Sequence, residues 1–556
     1  MRNSAQRRRN LDGERFDVVV IGGGINGVAI AREAARAKRH TLLLEQRDFS
    51  SGTTSRSTRI IHGGLRYLEH GELGLVREAL RERQRLLCDR PHLVHPLTFV
   101  LALRPGARHS ALAIRTGLWL YRAYARLQNG HSADLIHLEQ LLDRGCKWGL
   151  FAYQDAQCEF PERLVAEWLN EAVEAGAVVR NYAPALALEA AHGRVRGLRF
   201  RDELSSHEQR IEANWVVNAS GPWADLVCQQ LGVRTTEPML GGVRGSHIVL
   251  PSFEGAPEAA LYSEAADARP FFVIPWNGQL LVGTTEISDS GNPCAVQASH
   301  DEIEYLLTSI RRLFPQQSFT AADVRYAFAG VRPLPYSAGR PTAAVTRRHF
   351  VHDHADDGVV GMLSVIGGKL TTAASVAREC ARKMGIAAPE PAHVFVAPAP
   401  ADGVEASFEQ WAQQISRITK VSAGSARAIA EWHGSYALQI ARLASQDELL
   451  GAPLCPHSDH LVAEAIAAFQ MEHAATLGDV LLRRVPVALA GCWSEECSRV
   501  AAQRIGRALA WSEAEVARAL ESFEEERRAF LQPEALNQMK SSRAAALPLA
   551  SPHGVV

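Results

Sequence analysis

The chain predicts an α/β fold in which a Rossmann-like domain is interleaved with a mostly antiparallel β-sheet domain and is followed by an all-α C-terminal domain. A strand, a glycine-rich turn, a helix and a second strand follow one another near the N-terminus. Short runs of strand-forming residues then recur through the middle of the chain, and helical periodicity dominates its last part. At 556 residues the chain is too long for one compact core, so we expect at least two domains.

The first unit occupies residues 16–45 and contains a Gly22-x-Gly24-x-x-Gly27 turn. Glycines at this spacing permit the tight turn, let the backbone approach a pyrophosphate and let the helix pack on the strand. The phosphates would then lie at the helix N-terminus. Glu45, at the end of the second strand, is placed to accept hydrogen bonds from an adenosine ribose. The unit predicts a dinucleotide site but does not distinguish FAD from NAD.

The composition divides the chain into five parts. Residues 1–15 form a basic arm, residues 16–386 contain the two interleaved sheets, and residues 387–403 form an Ala/Pro-rich linker. Residues 404–535 are helical in period, and we expect residues 536–556 to be a disordered tail.

Six short β-like runs follow the first unit and suggest a second, largely antiparallel sheet on which a substrate could lie. The runs are Ala177–Arg180, Val195–Phe200, Trp215–Ala219, Ser246–Leu250, Phe271–Pro275 and Leu280–Gly283. A later apolar strand near Val359–Val365 leads into Gly367 and Gly368 and then into a helical pattern. This is a second strand–glycine–helix junction.

A formal net charge of -1 predicts no global attraction to nucleic acid. The nine cysteines are odd in number and include no CxxC pair, which favours a reducing compartment over a disulfide framework. Cys455, His457 and His460 are close in sequence, but they occupy a proline-containing loop without a partner pair at ligand spacing. We therefore expect no metal site there.

No stretch of about 18 uninterrupted apolar residues occurs, so a transmembrane helix is not expected. Residues 108–126 instead mix arginines with Leu, Ile, Trp and Tyr and contain no acidic residue. A basic helix with interfacial aromatics can lie in the headgroup plane of a membrane. The alternative is a helix packed on its own protein with its arginines in solvent.

A hydroxyl-rich segment, residues 50–59, follows the second strand. Its hydroxyls and backbone donors can cap a helix and hold a phosphate, which an NAD dehydrogenase has no general need for at this point. Together with IIHGGLRYLEHGE, VVNASGPWAD, GSHIVLP, FFVIPW, LVGTTE, AGVRPLP and SVIGGKLTT, the segment resembles the FAD-dependent glycerol-3-phosphate dehydrogenases. These are membrane-associated respiratory enzymes within the D-amino-acid-oxidase-like flavoproteins. The resemblance spans roughly residues 16–385, and the helical region is similar to that family's C-terminal domain.

The resemblance implies bound FAD and oxidation of sn-glycerol 3-phosphate to dihydroxyacetone phosphate, with electrons passed to a membrane quinone. It implies peripheral contact with lipid at the cytoplasmic face of the inner membrane, and it allows a homodimer. The cofactor-binding residues would be Gly22, Gly24, Gly27, Glu45, Thr53, Ser57, Gly367, Gly368, Leu370 and Thr371.

Removing a hydride from an alcohol carbon requires a base, cations for the phosphate and positive character near the flavin. The resemblance places Arg66, Arg332 and Lys369 on the substrate wall, with Tyr67 available to hydrogen-bond the substrate. We expect His247 to be the base and His62 to lie near the flavin ring. Each of these residues has an alternative role in bracing loops or packing the core.

Two segments depart from the family pattern. Residues 158–164, CEFPERL, stand where many members have Asp-Ala-Arg, and residues 335–348 lack the acidic residues common there. Both leave the substrate open. The alternatives are an amine, amino-acid or other hydroxy-acid oxidase of the same superfamily that uses oxygen, and a non-catalytic flavin-bound tRNA-modification or assembly factor. The charge balance disfavours the latter.

Overall fold

The computed structural model describes residues 8–64, 71–105, 111–125, 134–289, 291–338, 345–387 and 404–546. The strands are β1 (Arg15–Ile21), β2 (Thr41–Leu44), β3 (Ile60–Ile61), β4 (Val94–Leu103), β5 (Gly149–Cys158), β6 (Val178–Arg180), β7 (Ala185–Ala191), β8 (Arg194–Asp202), β9 (His207–Asn218), β10 (Leu240–Pro251), β11 (Ala260–Glu264), β12 (Pro270–Trp276), β13 (Gln279–Gly283), β14 (Ile287–Ser288), β15 (Tyr326–Pro335), β16 (Phe350–Asp353) and β17 (Met362–Ile366).

The α-helices are α1 (Ile25–Arg36), α2 (Leu73–Asp89), α3 (Ala111–Ala125), α4 (Leu135–Leu141), α5 (Pro161–Glu174), α6 (Ala224–Gln230), α7 (His300–Leu313), α8 (Ala373–Lys383), α9 (Val404–Ile418), α10 (Ala423–His433), α11 (Ala437–Ala444), α12 (Val462–Met471), α13 (Leu477–Asp479), α14 (Glu495–Ala508), α15 (Glu513–Leu531) and α16 (Glu534–Ala546). A π-helical turn spans Val480–Arg484.

The first sheet has the order β16-β17-β9-β1-β2-β6, and β8 and β7 extend it beside β9. Strands β17, β9, β1, β2 and β6 are parallel, whereas β16, β8 and β7 join antiparallel. Buried side chains of α1, α5 and α8 pack against one face of the parallel strands. Because the carboxyl ends of parallel strands share one edge, the turns after β1 and β17 lie on the same side of the sheet.

The second sheet has the order β14-β10-β13-β12-β11-β4-β5-β3, with β15 also paired to β10. Its pairs are antiparallel except β11 with β4. The combination of a parallel-core sheet, a mostly antiparallel sheet and a helical C-terminal region confirms the predicted fold class.

Three of the six β-like runs lie in the first sheet rather than the second. Ala177–Arg180, Val195–Phe200 and Trp215–Ala219 fall on β6, β8 and β9. The expectation that all six form the antiparallel sheet is therefore wrong. Alternation of apolar residues indicates which face of a strand is buried but not which strand it pairs with, because the pairing also depends on other segments of the chain.

The helical C-terminal region is joined to the first sheet through a buried charge cluster. The two terminal guanidinium nitrogens of Arg484 donate to the Asp48 carboxylate, at 2.9 and 2.8 Å, and Arg483 donates to it as well. Asp48 follows β2 and is buried, and the two arginines hold the pKa of its carboxyl below its usual range. Removal of one partner from such a buried pair usually costs about 3–5 kcal/mol.

The C-terminal boundary differs from the expectation. Helix α16 continues to Ala546, and Leu536 is buried against residues of α7 and the second sheet. The expected disordered tail from residue 536 is therefore wrong as far as residue 546. Residues 547–556, like linker residues 388–403, lie outside the described residues.

Helix α3 carries the arginine- and aromatic-rich segment. Leu118 and Tyr121 are buried, whereas Trp119 is 67% exposed and Arg115 is exposed. The helix thus packs on its own protein through one face and presents an aromatic, basic face outward. Among the described residues, none of the helices combines the length and the apolar character needed to cross a bilayer.

Candidate active site

A cavity of about 890 Å³ connects the two sheets. One end lies at the Gly22–Gly27 turn after β1, and the other lies against β10 and β15 of the second sheet. All the predicted site residues that the structure describes, except Gly27, line it: Gly22, Gly24, Glu45, Thr53, Ser57, His62, His247, Arg332, Gly367, Gly368, Lys369, Leu370 and Thr371. Arg66 and Tyr67 lie outside the described residues.

The glycines of the first turn have two different roles. A Cβ at Gly27 would lie 1.8 Å from the Gly22 carbonyl oxygen, so this glycine lets α1 pack on the turn. A Cβ at Gly24 would meet only the Thr54 hydroxyl, at 3.3 Å. Gly24 lines the cavity at the N-cap of α1, and the N-terminus of a helix favours a bound anion.

Glu45 holds the glycine turn as well as lining the cavity. Its carboxylate accepts a hydrogen bond from the Gly23 N–H at 2.6 Å and another from the Arg47 N–H at 2.9 Å. Burial raises the pKa of Glu45 despite these two donors. The acid is therefore fixed at the end of β2 in the position that a ribose-binding carboxylate occupies in such units.

The hydroxyl-rich segment bridges the two sheets. The Thr53 hydroxyl donates to the Val331 carbonyl on β15 at 3.0 Å, and the Thr54 hydroxyl accepts from the Ile25 N–H at 3.2 Å. Ser57 accepts from the Arg59 N–H at 3.2 Å. These bonds fix the segment against both α1 and β15. The role of Thr54 was missed because a row of hydroxyls does not indicate which one caps the neighbouring helix.

The second glycine turn meets the first through Asn26. Gly367 and Gly368 have φ values of +81° and +89°, and the Asn26 amide donates to the Gly367 carbonyl at 3.2 Å. Asn26 Oδ1 is buried without a hydrogen-bond partner and its residue lines the cavity. Sequence reasoning missed Asn26 because it occupies a variable position of the glycine motif.

His62 and Lys369 both line the cavity and influence each other electrostatically. The His62 N–H donates to the Thr371 hydroxyl at 3.1 Å, which ties the His62 segment to the second glycine turn. Burial and the nearby Lys369 and Arg83 charges lower the pKa of His62 to about 3. Burial likewise lowers the pKa of Lys369 to about 7, against the opposing effect of Glu72 and Glu78.

His247 and Arg332 lie on one face of adjacent strands. In the β10–β15 register, His247 pairs with Phe328 and Val243 pairs with Arg332, so both side chains project from the same side. The His247 ring is buried, contacts the Thr58 hydroxyl through Nε2 at 3.0 Å and stacks on Phe328. Burial and the Arg332 and Arg59 charges lower its pKa to about 3.

The Thr284 hydroxyl orients Arg332, because it accepts a hydrogen bond from the guanidinium and donates another to the backbone. Arg332 Nη2 donates to Thr284 Oγ1 at 2.8 Å, and that hydroxyl donates to the Thr285 carbonyl at 3.0 Å. Arg347 also lines the cavity and forms an ion pair with Glu286. Neither Thr284 nor Arg347 was predicted, since the LVGTTE segment and the arginine pair at 347–348 give no local sign of what they face.

The two departing segments differ in their relation to the cavity. Residues 158–164 do not line it; there, Glu162 forms a buried bidentate pair with Arg59, with both N–O distances 3.0 Å. In contrast, residues 335–337 and 345–347 line the cavity, and residues 339–344 lie outside the described residues. Any change of specificity is therefore expected from the second segment.

The chain matches the family model described as FAD dependent oxidoreductase over residues 17–383, and that described as the C-terminal domain of alpha-glycerophosphate oxidase over residues 399–516. A glycerol-3-phosphate dehydrogenase of Synechocystis is 38% identical over 500 residues, covering 85% of this chain and 89% of the relative. A D-erythritol 1-phosphate dehydrogenase of Brucella abortus is 36% identical, covering 65% and 71%. A solved glycerol-3-phosphate dehydrogenase from Bacillus halodurans complexed with FAD aligns with a TM-score of 0.74 at 24% identity, covering 94% and 97%.

The fold and the cavity, with these matches, define the class as an FAD-dependent oxidoreductase. Within that class, the chain belongs to the family of FAD-dependent glycerol-3-phosphate dehydrogenases, as the sequence resemblance implied.

The residues present fit FAD. The cavity extends from the Gly24 turn, where the N-terminus of α1 favours a bound phosphate, to the Gly367–Gly368 turn. Asn26 Oδ1, which is buried without a hydrogen-bond partner, lies between the two turns. Glu45 would hold the adenosine ribose, and the segment Lys369–Thr371 would face the ring. The cofactor is FAD.

Proposed function

We propose that the protein oxidises sn-glycerol 3-phosphate to dihydroxyacetone phosphate. The observation that carries the proposal is the placement of His247 and Arg332 on one face of β10 and β15, in the same cavity as the Gly22–Gly27 turn. A base and a phosphate-binding cation thus share one chamber with the cofactor site. FAD, when bound, supplies the acceptor for the hydride of the alcohol carbon.

His247 is our candidate for the base. Its pKa of about 3 keeps the imidazole neutral at physiological pH, which is the form that accepts a proton from a substrate hydroxyl. The same burial makes it weakly basic until a dianionic substrate enters, because a nearby negative charge raises the pKa of a histidine. His62, beside Lys369 and Thr371, is expected near the ring.

The cations divide into two groups. Arg332, held by Thr284, can grip a phosphate bidentately, and Arg66 and Tyr67 would complete this wall. Lys369 offers a point charge whose protonation increases when negative charge develops beside it. A substrate with a phosphate and a neighbouring hydroxyl would use both a phosphate-binding cation and a base, and this cavity offers candidates for each.

We further propose a quinone acceptor and a peripheral position on the cytoplasmic face of the inner membrane. The outward face of α3, with Trp119 and Arg115 exposed, supports the lipid contact. A homodimer is compatible with the proposal but nothing in it depends on one. Oxidation of an amine or amino acid with oxygen is the competing activity. It differs from the proposed one because it requires a carboxylate-binding group in the active site and no phosphate site.

The test is an anaerobic titration of the FAD-loaded protein with sn-glycerol 3-phosphate, followed by the flavin absorbance near ~450 nm. Prompt bleaching is expected, with dihydroxyacetone phosphate formed in equal amount. D-erythritol 1-phosphate, glycine and D-amino acids form the comparison panel, because one relative is named for the first of these. Bleaching by an amino acid but not by a polyol phosphate would overturn the proposal.

A further inference from the structure

Three side chains able to bind a metal converge in the β16–β17 hairpin, and none of them lines the cavity. His352, His354 and Asp357 offer ligand atoms that all lie within 4.8 Å of one another. His352 Nε2 lies 2.7 Å from Asp357 Oδ2, and His354 Nδ1 lies 2.8 Å from the same oxygen. We propose that this His352-x-His354-x-x-Asp357 cluster is a divalent transition-metal site, with zinc the ion that suits it best.

The local backbone explains the convergence. His352 lies on β16 and His354 directly follows that strand, two residues further on, so an extended chain directs both rings to the same side. The turn 354–359 is closed by the Asp357 N–H donating to the His354 carbonyl at 3.0 Å and the Val359 N–H donating to it at 2.7 Å. This turn returns the Asp357 carboxylate to the two rings. All three ligands therefore come from six consecutive residues, which limits the entropy lost on assembling the site.

The hydrogen bond of His354 Nε2, the ring nitrogen that does not face Asp357, is also typical of a metal-binding histidine. His354 is buried, and its Nε2 lies 2.7 Å from Ser364 Oγ on β17. Metal-binding histidines almost always use their second nitrogen in such a bond, which fixes the ring and its tautomer. With the ion on Nδ1, Nε2–H would donate to Ser364. The neighbouring Cys228 thiol contacts Ser364 and Nε2 at 3.6 and 3.8 Å, on the side of the ring away from Nδ1, and is not a ligand.

The chemistry of the donors selects the ion. Two imidazoles and one carboxylate suit zinc, which accepts such sets with a water in the fourth position. Ligand atoms around zinc at bond lengths of about 2.0 Å lie about 3.3 Å apart, so the two nitrogen–oxygen separations of 2.7 and 2.8 Å must open by about half an ångström. His352 is partly exposed, with its side chain 31% accessible, and offers the ion a path of entry.

Zinc would stabilise the hairpin that leads into the second glycine turn. His352 pairs with Ser364 in the β16–β17 register, and β17 ends at Ile366, directly before Gly367. The ion is not expected to take part in the oxidation, because none of its ligands lines the cavity. Its effect should be seen in thermal stability.

The experiment uses the FAD-loaded protein stripped with EDTA and then dialysed against zinc chloride, with zinc and flavin counted per chain. We expect one zinc per chain at this cluster, and an increase in Tm on adding zinc. Asp357→Asn keeps the shape of the side chain but replaces the charged carboxylate by a poor ligand, and His352→Ala removes the most exposed ligand. Each should weaken zinc binding by ~10-fold or more and abolish the zinc-dependent part of Tm.

Two controls isolate the site. His207→Ala removes an exposed histidine of the same sheet and should leave zinc binding unchanged. Cys497→Ser tests the thiols near His457, whose Nδ1 lies 3.5 Å from Cys497 Sγ, as an alternative zinc ligand set. The proposal would be overturned if both His352→Ala and Asp357→Asn bound zinc fully, or if binding were lost only in Cys497→Ser. It would also be overturned if the unaltered protein retained no zinc at ~100 μM.

Discussion

His247 and Gly283 face each other across β10 and β13, and a Cβ at residue 283 would lie 2.3 Å from His247 Cδ2. The imidazole ring occupies the space that a side chain at 283 would need. The glycine therefore leaves the space that the ring needs at the cavity, although it lies in a separate segment of the sequence.

Gly283→Ala should displace the His247 ring and lower kcat by ~10²-fold or more if His247 is the base, because a base misplaced by an ångström loses most of its effect. Bound FAD should remain near one per chain, since the residue is remote from the Gly22–Gly27 turn. Dye-linked turnover and flavin content measure the two effects. Gly74→Ala, whose new Cβ meets nothing within 4 Å, is the control. Normal turnover of Gly283→Ala would remove His247 from the proposed role.

Substitution of two glycines in the first turn should separate cofactor binding from folding. Gly24→Val meets little within the protein itself and should give a folded chain without FAD, because the side chain occupies the approach of the pyrophosphate. Gly27→Val collides with the Gly22 carbonyl and should destabilise the domain. Flavin per chain and the circular dichroism melting curve distinguish the outcomes. Full flavin occupancy in Gly24→Val would contradict the assignment of the turn.

The geometry of the first glycine turn was predictable because its information is local. Gly22, Gly24, Gly27 and Glu45 lie within one βαβ unit, and their spacing alone defines their geometry. The substrate end is different. The bond from Arg332 to Thr284 depends on two strands that are distant in sequence, so the sequence of neither segment indicates it.

The same distinction explains the errors in the fold. β9 carries the WVVNA run and pairs with β8, which directly precedes it, and with β1 and β17, which are distant along the chain; no pattern within the run selects the two distant partners. The tail helix α16 was missed because its composition is polar and small. Its order comes from the burial of Leu536 against α7 and the second sheet, which is a tertiary effect.

Arg332→Ala should raise the KM for glycerol 3-phosphate by ~10²-fold, because a charge-assisted contact with phosphate is worth roughly 2–3 kcal/mol, while the bound flavin stays unchanged. Thr284→Val should have a smaller effect in the same direction, since it removes one hydrogen bond of the guanidinium but keeps its charge. Steady-state kinetics with an artificial dye give both values. Arg199→Ala, an exposed arginine of β8, is the control. An unchanged KM in Arg332→Ala would place the phosphate elsewhere.

Lys369 should make stability depend on pH. Its folded pKa of about 7 lies below the ordinary 10.5, so between these values the unfolded chain binds more protons and stability rises with pH. Below about pH 7 both states hold the proton, and the full cost of burying the ammonium is present. Lys369→Met should therefore raise the Tm of the FAD-loaded protein most near pH 6, with the gain shrinking toward pH 9.5. The exposed Lys383→Met serves as the control. A gain independent of pH would mean that the ammonium carries no such cost.

The outward face of α3 should decide how tightly the protein binds lipid. Leu118 and Tyr121 are already used on the inner face, where the Tyr121 hydroxyl donates to Asp155 at 2.7 Å, so Trp119 and Arg115 are available to a membrane. A basic residue near an anionic surface contributes about 1 kcal/mol, and Arg115→Glu changes the charge by two, so it should weaken binding to anionic vesicles by ~10-fold or more. Trp119→Ala should weaken binding to neutral and anionic vesicles alike, because it removes apolar contact. Both variants should retain dye-linked turnover. The control is Leu226→Ala, which changes an exposed leucine of α6 and should bind vesicles as the unaltered protein does. Vesicle co-sedimentation measures the partitioning; if neither variant changes it, the helix simply packs on its own protein and lipid contact must come from another surface.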